Sequence, residues 1–566
     1  MGSVGAGAVA AALVVAVVGA AGVAVGAAGG SAARLGCAEK QRVAKSRSGR
    51  RPNMAEHPSR AGNLETRQGF LGWARGVRCS EPRRLGYEAM FRHSLALIFT
   101  LVSVPLLLTV ACVGGEGDDG TGGSSSSGGS GPGGADPGGA GPGSGGTEQA
   151  GCGEPSGDGT EVSGTIGEDT VWTPEGSPYI VTNDVSVDAE LLLEACTVVR
   201  LDPGVRIFVN GSLVARGTAE EGEGGDLVLS PVAFVPNTDA PWGSIDVQPE
   251  GFLDLEVTGF IGGGSQEATI HAWGVDQYGL PHRNVRALGV SISGSQNYGV
   301  MLETRAGFTE DSTDLAIDSS GSEESPFPIY VEAGAVGALP DLLTFDINAV
   351  DEILVYPFRP VEEDTFKSLG YPYRVRGSVT VAREDGGVAT LTIEPGVTLR
   401  MEDYAGSGFE IGNGVDNEGR LIAVGTEAEP IRFESALDEP APGDWLGLYF
   451  SEPVTTGNRV EYVEIAHAGA FSGAQSYGCG PIENDASILI LNPEPVAPFI
   501  ENTTIESAGG DTQILLGWDY DGDPTGAAQV ILDANTFDDA GPECRVSLPQ
   551  DETSQCPGLD DQPDCL

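Results

Sequence analysis

The chain has 566 residues, with 85 glycines and 36 prolines beside an apolar content of 40%, a mixture that argues against disorder and for a turn-rich β protein whose corners need φ > 0 residues. Its net charge of −52 is unevenly placed: of 30 Lys+Arg and 82 Asp+Glu, 14 and 5 precede Cys112, which leaves 16 and 77 beyond it, a net of −61. Such a field repels nucleic acid and anionic membrane surface, so the expected partners are neutral, cationic or metal-bridged.

In chain order, residues 4–28 are nearly all Gly, Ala and Val, and 38–89 are basic and show neither helical nor strand periodicity. Residues 1–89 are therefore expected to be upstream sequence, with translation starting at Met90. Met90-Phe-Arg-His is a short basic start, 95–110 is an apolar core, and Leu108-Thr109-Val110-Ala111-Cys112 follows. This is the layout of a secretory signal peptide over 90–111. A small residue directly before cysteine resembles the lipobox of bacterial lipoproteins, although Thr109 stands where that family usually has leucine. The resemblance implies acylation of Cys112, cleavage before it and a lipid anchor in the cell envelope. Val113, in place of Asp, implies outer-membrane sorting by the same resemblance. The apolar run is short for a transmembrane span. Residues 113–151 are almost all Gly, Ser, Pro, Asp and Thr, and are read as a tether with a reach of roughly 35 Å.

Beyond Cys112 stand Cys152, Cys196, Cys479, Cys544, Cys556 and Cys565, an even set that suits an exported chain and permits up to three disulfides. Cys152 with Cys196 would pin the start of the domain, and the other four would tie down residues 541–566.

A block recurs in the mature part. Pro178-Tyr179, Asp202-Pro203-Gly204-Val205, Gly211-Ser-Leu-Val-Ala-Arg-Gly-Thr218 and Trp242-Gly243 return as Pro372-Tyr373, Glu394-Pro395-Gly396-Val397, Gly419-Arg-Leu-Ile-Ala-Val-Gly-Thr426 and Trp445-Leu-Gly447. Val379-Thr-Val381 and Leu391-Thr-Ile393 alternate as strands with one buried face do, and Pro-Gly supplies tight turns. Many short strands with glycine corners point to a sandwich, a barrel or a coiled solenoid. Residues 391–397, Gly419–Thr426 and Asp444-Trp445-x-Gly447 together resemble right-handed parallel β-helix proteins of the pectin-lyase-like type. The resemblance implies an all-β, right-handed parallel β-helix solenoid, as one run or two tandem units. It also implies inward apolar stacks and corner Asn ladders. The expected organisation is a first unit over 152–365 with an irregular insertion, a second over 366–540, and an acidic, Cys-containing tail over 541–566.

Chemistry is harder to read. Enzymes of the resembled fold cleave polysaccharides with grouped acids or an Arg or Lys base, but with 77 acidic residues no pair stands out, and no catalytic residue is assigned. His467 is the best acid–base candidate by type, and is expected to be simply a surface or corner residue. Asp519-Tyr-Asp521-Gly-Asp523 sets carboxylates at alternating positions, as oxygen-rich calcium sites do, but departs from an EF-hand at Val530, where a bidentate Glu is needed. The expected function is that of a surface-displayed, envelope-anchored lipoprotein with a binding or structural role through carbohydrate, matrix or protein contact. The alternative is a polysaccharide lyase or glycoside hydrolase.

Overall fold

The computed structural model describes residues 151–566 apart from 156, 222–226, 276–279, 384–385, 403–405, 415–416, 452–453, 473–478, 480–484, 492, 521–523 and 552–564. The expected signal peptide over 90–111, Cys112, the expected tether up to 150, Asp521, Asp523 and Cys556 lie outside the described residues.

Alternation at period two sets the architecture. In the strand Glu418–Val424, Leu421 and Ala423 are buried and their neighbours are not, and the same pattern recurs along the chain. Apart from an antiparallel hairpin, Thr218–Glu221 with Leu227–Ser230, the strands of the ladders pair in parallel with the strand one coil further on, so the chain passes through three faces in rotation. The fold is an all-β parallel β-helix solenoid.

The second face is continuous. Its inward rung runs through Val185, Ile207, Ile245, Ile270, Val300, Ile329, Ile353, Tyr373, Leu399, Phe433, Ile465, Ile505 and Phe537, each paired with the next. Stacking one apolar side chain on the next removes both from water, worth about 1.5–3 kcal/mol per fully buried aliphatic residue.

The other two faces change hands midway. The first-face rung Val199, Phe234, Phe260, Ile292, Ile317 and Phe345 ends against Tyr371, 4.3 Å away between ring centroids. The third-face rung Leu191, Leu213, Leu253, Val285 and Phe308 gives way to a buried 3-10 segment, Ala333–Ala338. New ladders then start at Glu363–Phe366 and Ser378–Val381 and run five strands each. At the junction Asp364 occupies an inward rung with Leu391 and Leu421. Its carboxylate accepts the backbone N–H of Val336 (2.9 Å), Gly337 (2.8 Å) and Thr365 (2.8 Å), so one acid satisfies donors that the 3-10 segment leaves unpaired.

The repeated block recurs in three dimensions, with its Pro-Gly turns leading into second-face strands in both copies and its later landmarks offset by one face. Trp242 lies between a first-face strand, Val232–Pro236, and the second-face strand Ile245–Val247. Trp445 lies between the second-face strand Ile431–Ser435 and Leu448–Phe450 of the ladder begun by Ser378–Val381. Both indoles are buried and donate Nε1–H at 2.8 Å to a backbone carbonyl one coil on, Ile261 and Ala466 respectively. Gly217 and Gly425 match too: a Cβ there would stand 2.1 Å from Val257 O and 2.5 Å from Tyr462 O.

Single left-handed residues turn the corners, among them Gly262, Gly294 and Ser319 in one stack and His467 and Ser507 in another. Asn side chains brace coils as expected: Asn348 Oδ1 accepts Ser320 N–H and Asn535 Oδ1 accepts Thr503 N–H, both at 3.0 Å. Cys152 and Cys196 form a disulfide, and Cys479 is disulfide-bonded. Cys544 is a buried thiol hydrogen-bonded with Cys565, and that bond together with burial holds it far above the usual thiol range. The α-helix Pro524–Ala534 packs Ala528 and Ile531 into the core near the C-terminal end.

Candidate functional site

Because successive side chains of a strand alternate, the residues beside each inward rung of the second face point outward and form their own rows. One row reads Asp246, His271, Met301, Tyr330, Leu354, Arg374 and Arg400. Two residues further along the strands, Trp273 pairs with Glu303, and Glu332 with Tyr356.

His271 is the chemical centre of this surface. It is 4% exposed, yet it faces outward, because carboxylates from three coils close over it. Nδ1 lies 3.2 Å from Asp246 Oδ1 and 3.4 Å from Glu267 Oε2, and Nε2 lies 2.7 Å from Glu303 Oε2. The Trp273 ring is 4.8 Å from the imidazole between centroids. Burial opposes a charge on His271, but the hydrogen bonds to Asp246 and Glu303 and their negative charge outweigh it and push the imidazole up to about 9. The ring is therefore a cation at neutral pH with both nitrogens engaged. Asp246 is itself 4% exposed; its Oδ2 has no hydrogen-bond partner and stands 3.7 Å from Arg206 Nη1.

Beside His271 lies an aromatic strip. Tyr298, Tyr330 and Tyr356 follow one another at 5.7 and 6.0 Å between ring centroids, Tyr298 buried and the other two partly exposed. Burial, with the negative charges of Glu303 and Glu332, holds the Tyr330 phenol above its ordinary range, so it stays a neutral donor. Beyond the tyrosines the charges cancel in pairs. Buried Glu352 binds both Arg374 (2.7 Å) and Arg400, Arg400 reaches Glu434 (3.3 Å), and Arg376 meets Glu402 at 2.5 Å. An open groove of about 560 Å³ lies along the corner stack of Gly262, Gly294 and Ser319, with Asp239 as its single titratable wall residue.

The residues singled out from sequence lie elsewhere. His467 is a corner residue at φ 64°, and its Nδ1 is buried without a hydrogen-bond partner. Asp519 begins a two-residue strand, Asp519–Tyr520, that pairs with Gln550–Asp551. His271 was not separable in the sequence, since its neighbours Asp246 and Glu303 are 25 and 32 residues away and meet it only through coil stacking. The weak signal available was a His between β-branched and aromatic residues in Thr269-Ile-His-Ala-Trp273.

No protein-family model matches the chain, and neither does any curated protein or solved structure.

Proposed function

We propose that this chain is an envelope-anchored lipoprotein, held through Cys112, that displays its β-helix and binds carbohydrate along the outward side of the second face without cleaving it. The observation that carries binding over catalysis is the closure of His271. A general base needs a free nitrogen near its operating pH and access to substrate. His271 has both nitrogens engaged, is raised to about 9 and is almost wholly covered. Tyr330, Tyr356 and Trp273 supply partly exposed aromatic faces with polar tips, which pack on sugar rings and hydrogen-bond to their hydroxyls. The paired charges of Arg374, Arg376 and Arg400 leave little cationic attraction for polyuronates, which favours neutral glycans.

A polysaccharide lyase or hydrolase on the same fold is the second reading, favoured by the gathering of Asp246, Glu267 and Glu303 around one base. A polysaccharide panel run by affinity electrophoresis separates the two. The binding reading expects retardation on at least one neutral glycan, weakened about tenfold by Tyr330→Ala or Tyr356→Ala, a loss of ~1.4 kcal/mol. Release of reducing or unsaturated sugar that Glu303→Gln abolishes would establish the enzyme instead. Intact mass spectrometry of membrane-extracted protein tests the anchor, expecting an acylated N-terminal Cys112.

A further inference from the structure

We propose that Glu267, His271 and Glu303 form a binding site for one transition-series divalent cation, with Zn2+ as the type. One ligand atom from each lies within 4.8 Å of the other two, and reaching the ~3–3.5 Å between ligands of an ion bound at ~2.0–2.2 Å requires the 2.7 Å gap between Nε2 and Glu303 to open and Glu267, now 3.4 Å from Nδ1, to swing across to the Nε2 side. The three positions differ in freedom as a binding site requires. His271 is buried and fixed by its strand, Glu303 is partly covered, and the Glu267 carboxylate is 62% exposed and able to swing in.

A second observation points the same way. Asp246 is buried and aimed at Nδ1, with Oδ1 at 3.2 Å, while its Oδ2 is turned to Arg206 Nη1 at 3.7 Å. A carboxylate that fixes one imidazole nitrogen as N–H leaves the other to a metal, the arrangement that orients histidine ligands and raises their basicity. Nε2 then faces Glu303 Oε2, now 2.7 Å away, and the ion enters between them as the Nε2 proton leaves to solvent. Imidazole with two carboxylates suits Zn2+ or Cu2+ better than calcium, which takes oxygen ligands alone. The site needs no glycan, so it stands or falls apart from the carbohydrate reading.

The test is calorimetric titration of Zn2+ into the metal-stripped, full mature protein at physiological salt with excess Mg2+, paired with electron paramagnetic resonance of the Cu2+-loaded protein. One equivalent of Zn2+ should bind. Glu267→Gln, at an exposed position that leaves the fold alone, should weaken it at least tenfold with an unchanged melting temperature. Asp246→Asn should weaken it about 10- to 100-fold. The Cu2+ spectrum should show one imidazole nitrogen that His271→Gln removes. Zn2+ binding that Glu267→Gln leaves unchanged, no stoichiometric binding, or a Cu2+ spectrum with oxygen ligands only would overturn the site. If His271→Gln fails to fold, Glu267→Gln still decides.

Discussion

The second face and the two faces beside it obey the same alternation, yet only the second runs unbroken from Val185 to Phe537. The first-face ladder stops at Phe345 and the third gives way to Ala333–Ala338, after which both are rebuilt from new strands. One continuous ladder is enough to hold register, since a slip of one residue would turn every inward side chain outward. The other two faces are then free to exchange strands, take up a 3-10 segment and shift the later landmarks of the repeated block by one face.

The sharpest way to probe that offset is to compare Trp242 and Trp445, which carry one local structure on different faces. Trp242→Ala and Trp445→Ala should each cost about 3–5 kcal/mol, through lost burial and a lost indole hydrogen bond. Denaturant unfolding should give two values that agree closely; a large inequality would mean that the two halves do not share the motif energetically. The junction is next. Asp364→Ala should cost about 2–4 kcal/mol by orphaning the N–H groups of Val336 and Gly337.

Asp364 also makes the junction sensitive to pH. Burial pushes its carboxyl up to about 7, against the three backbone donors and nearby Lys367, while buried Tyr373 stays neutral beside it. The unfolded chain releases this proton near 3.8 and the folded chain only near 7, so between those values the folded state binds more protons and stability falls as pH rises. Denaturation midpoints should therefore drop from pH 4 to 7 in a way that Asp364→Asn flattens. An unchanged slope in that variant would remove Asp364 as its source.

A smaller effect is expected where coils touch. Gly217→Ala and Gly425→Ala should each lose about 1–3 kcal/mol, Gly217 the more, because its Cβ would press closer on the next coil's carbonyl. Smallest is His467→Gly, which should gain about 0.5–1 kcal/mol by relieving a left-handed side chain at a corner that Gly262 and Gly294 fill in the matching stack. A loss on thermal melting would mean that the His467 ring contributes more than a corner.

Much of the fold was legible because it rests on local pattern. Leu391-Thr-Ile393 announced its inward face, Pro203-Gly204 and Pro395-Gly396 announced turns that both lead into second-face strands, and the two tryptophans announced a repeat. The Cys152–Cys196 disulfide was one of the pairings open to six cysteines, suggested by position and by the expected export. The candidate site was not legible. Asp246, His271 and Glu303 become neighbours only when coils of unequal length stack, and nothing in a run of 77 acidic residues marks the two that will face a histidine. Asp364 was hidden for a similar reason, since an acid on an inward rung contradicts alternation until the unpaired N–H groups of another coil are placed beside it.

The sequence by itself thus determined strand period, corner chemistry and the solenoid class, because these depend on residues within a few positions of one another. Tertiary structure alone decided which face stays continuous, which face each repeat occupies and which charges meet. Those depend on loop lengths summed over whole coils, and a difference of a few residues in one loop moves a side chain to another face or another partner.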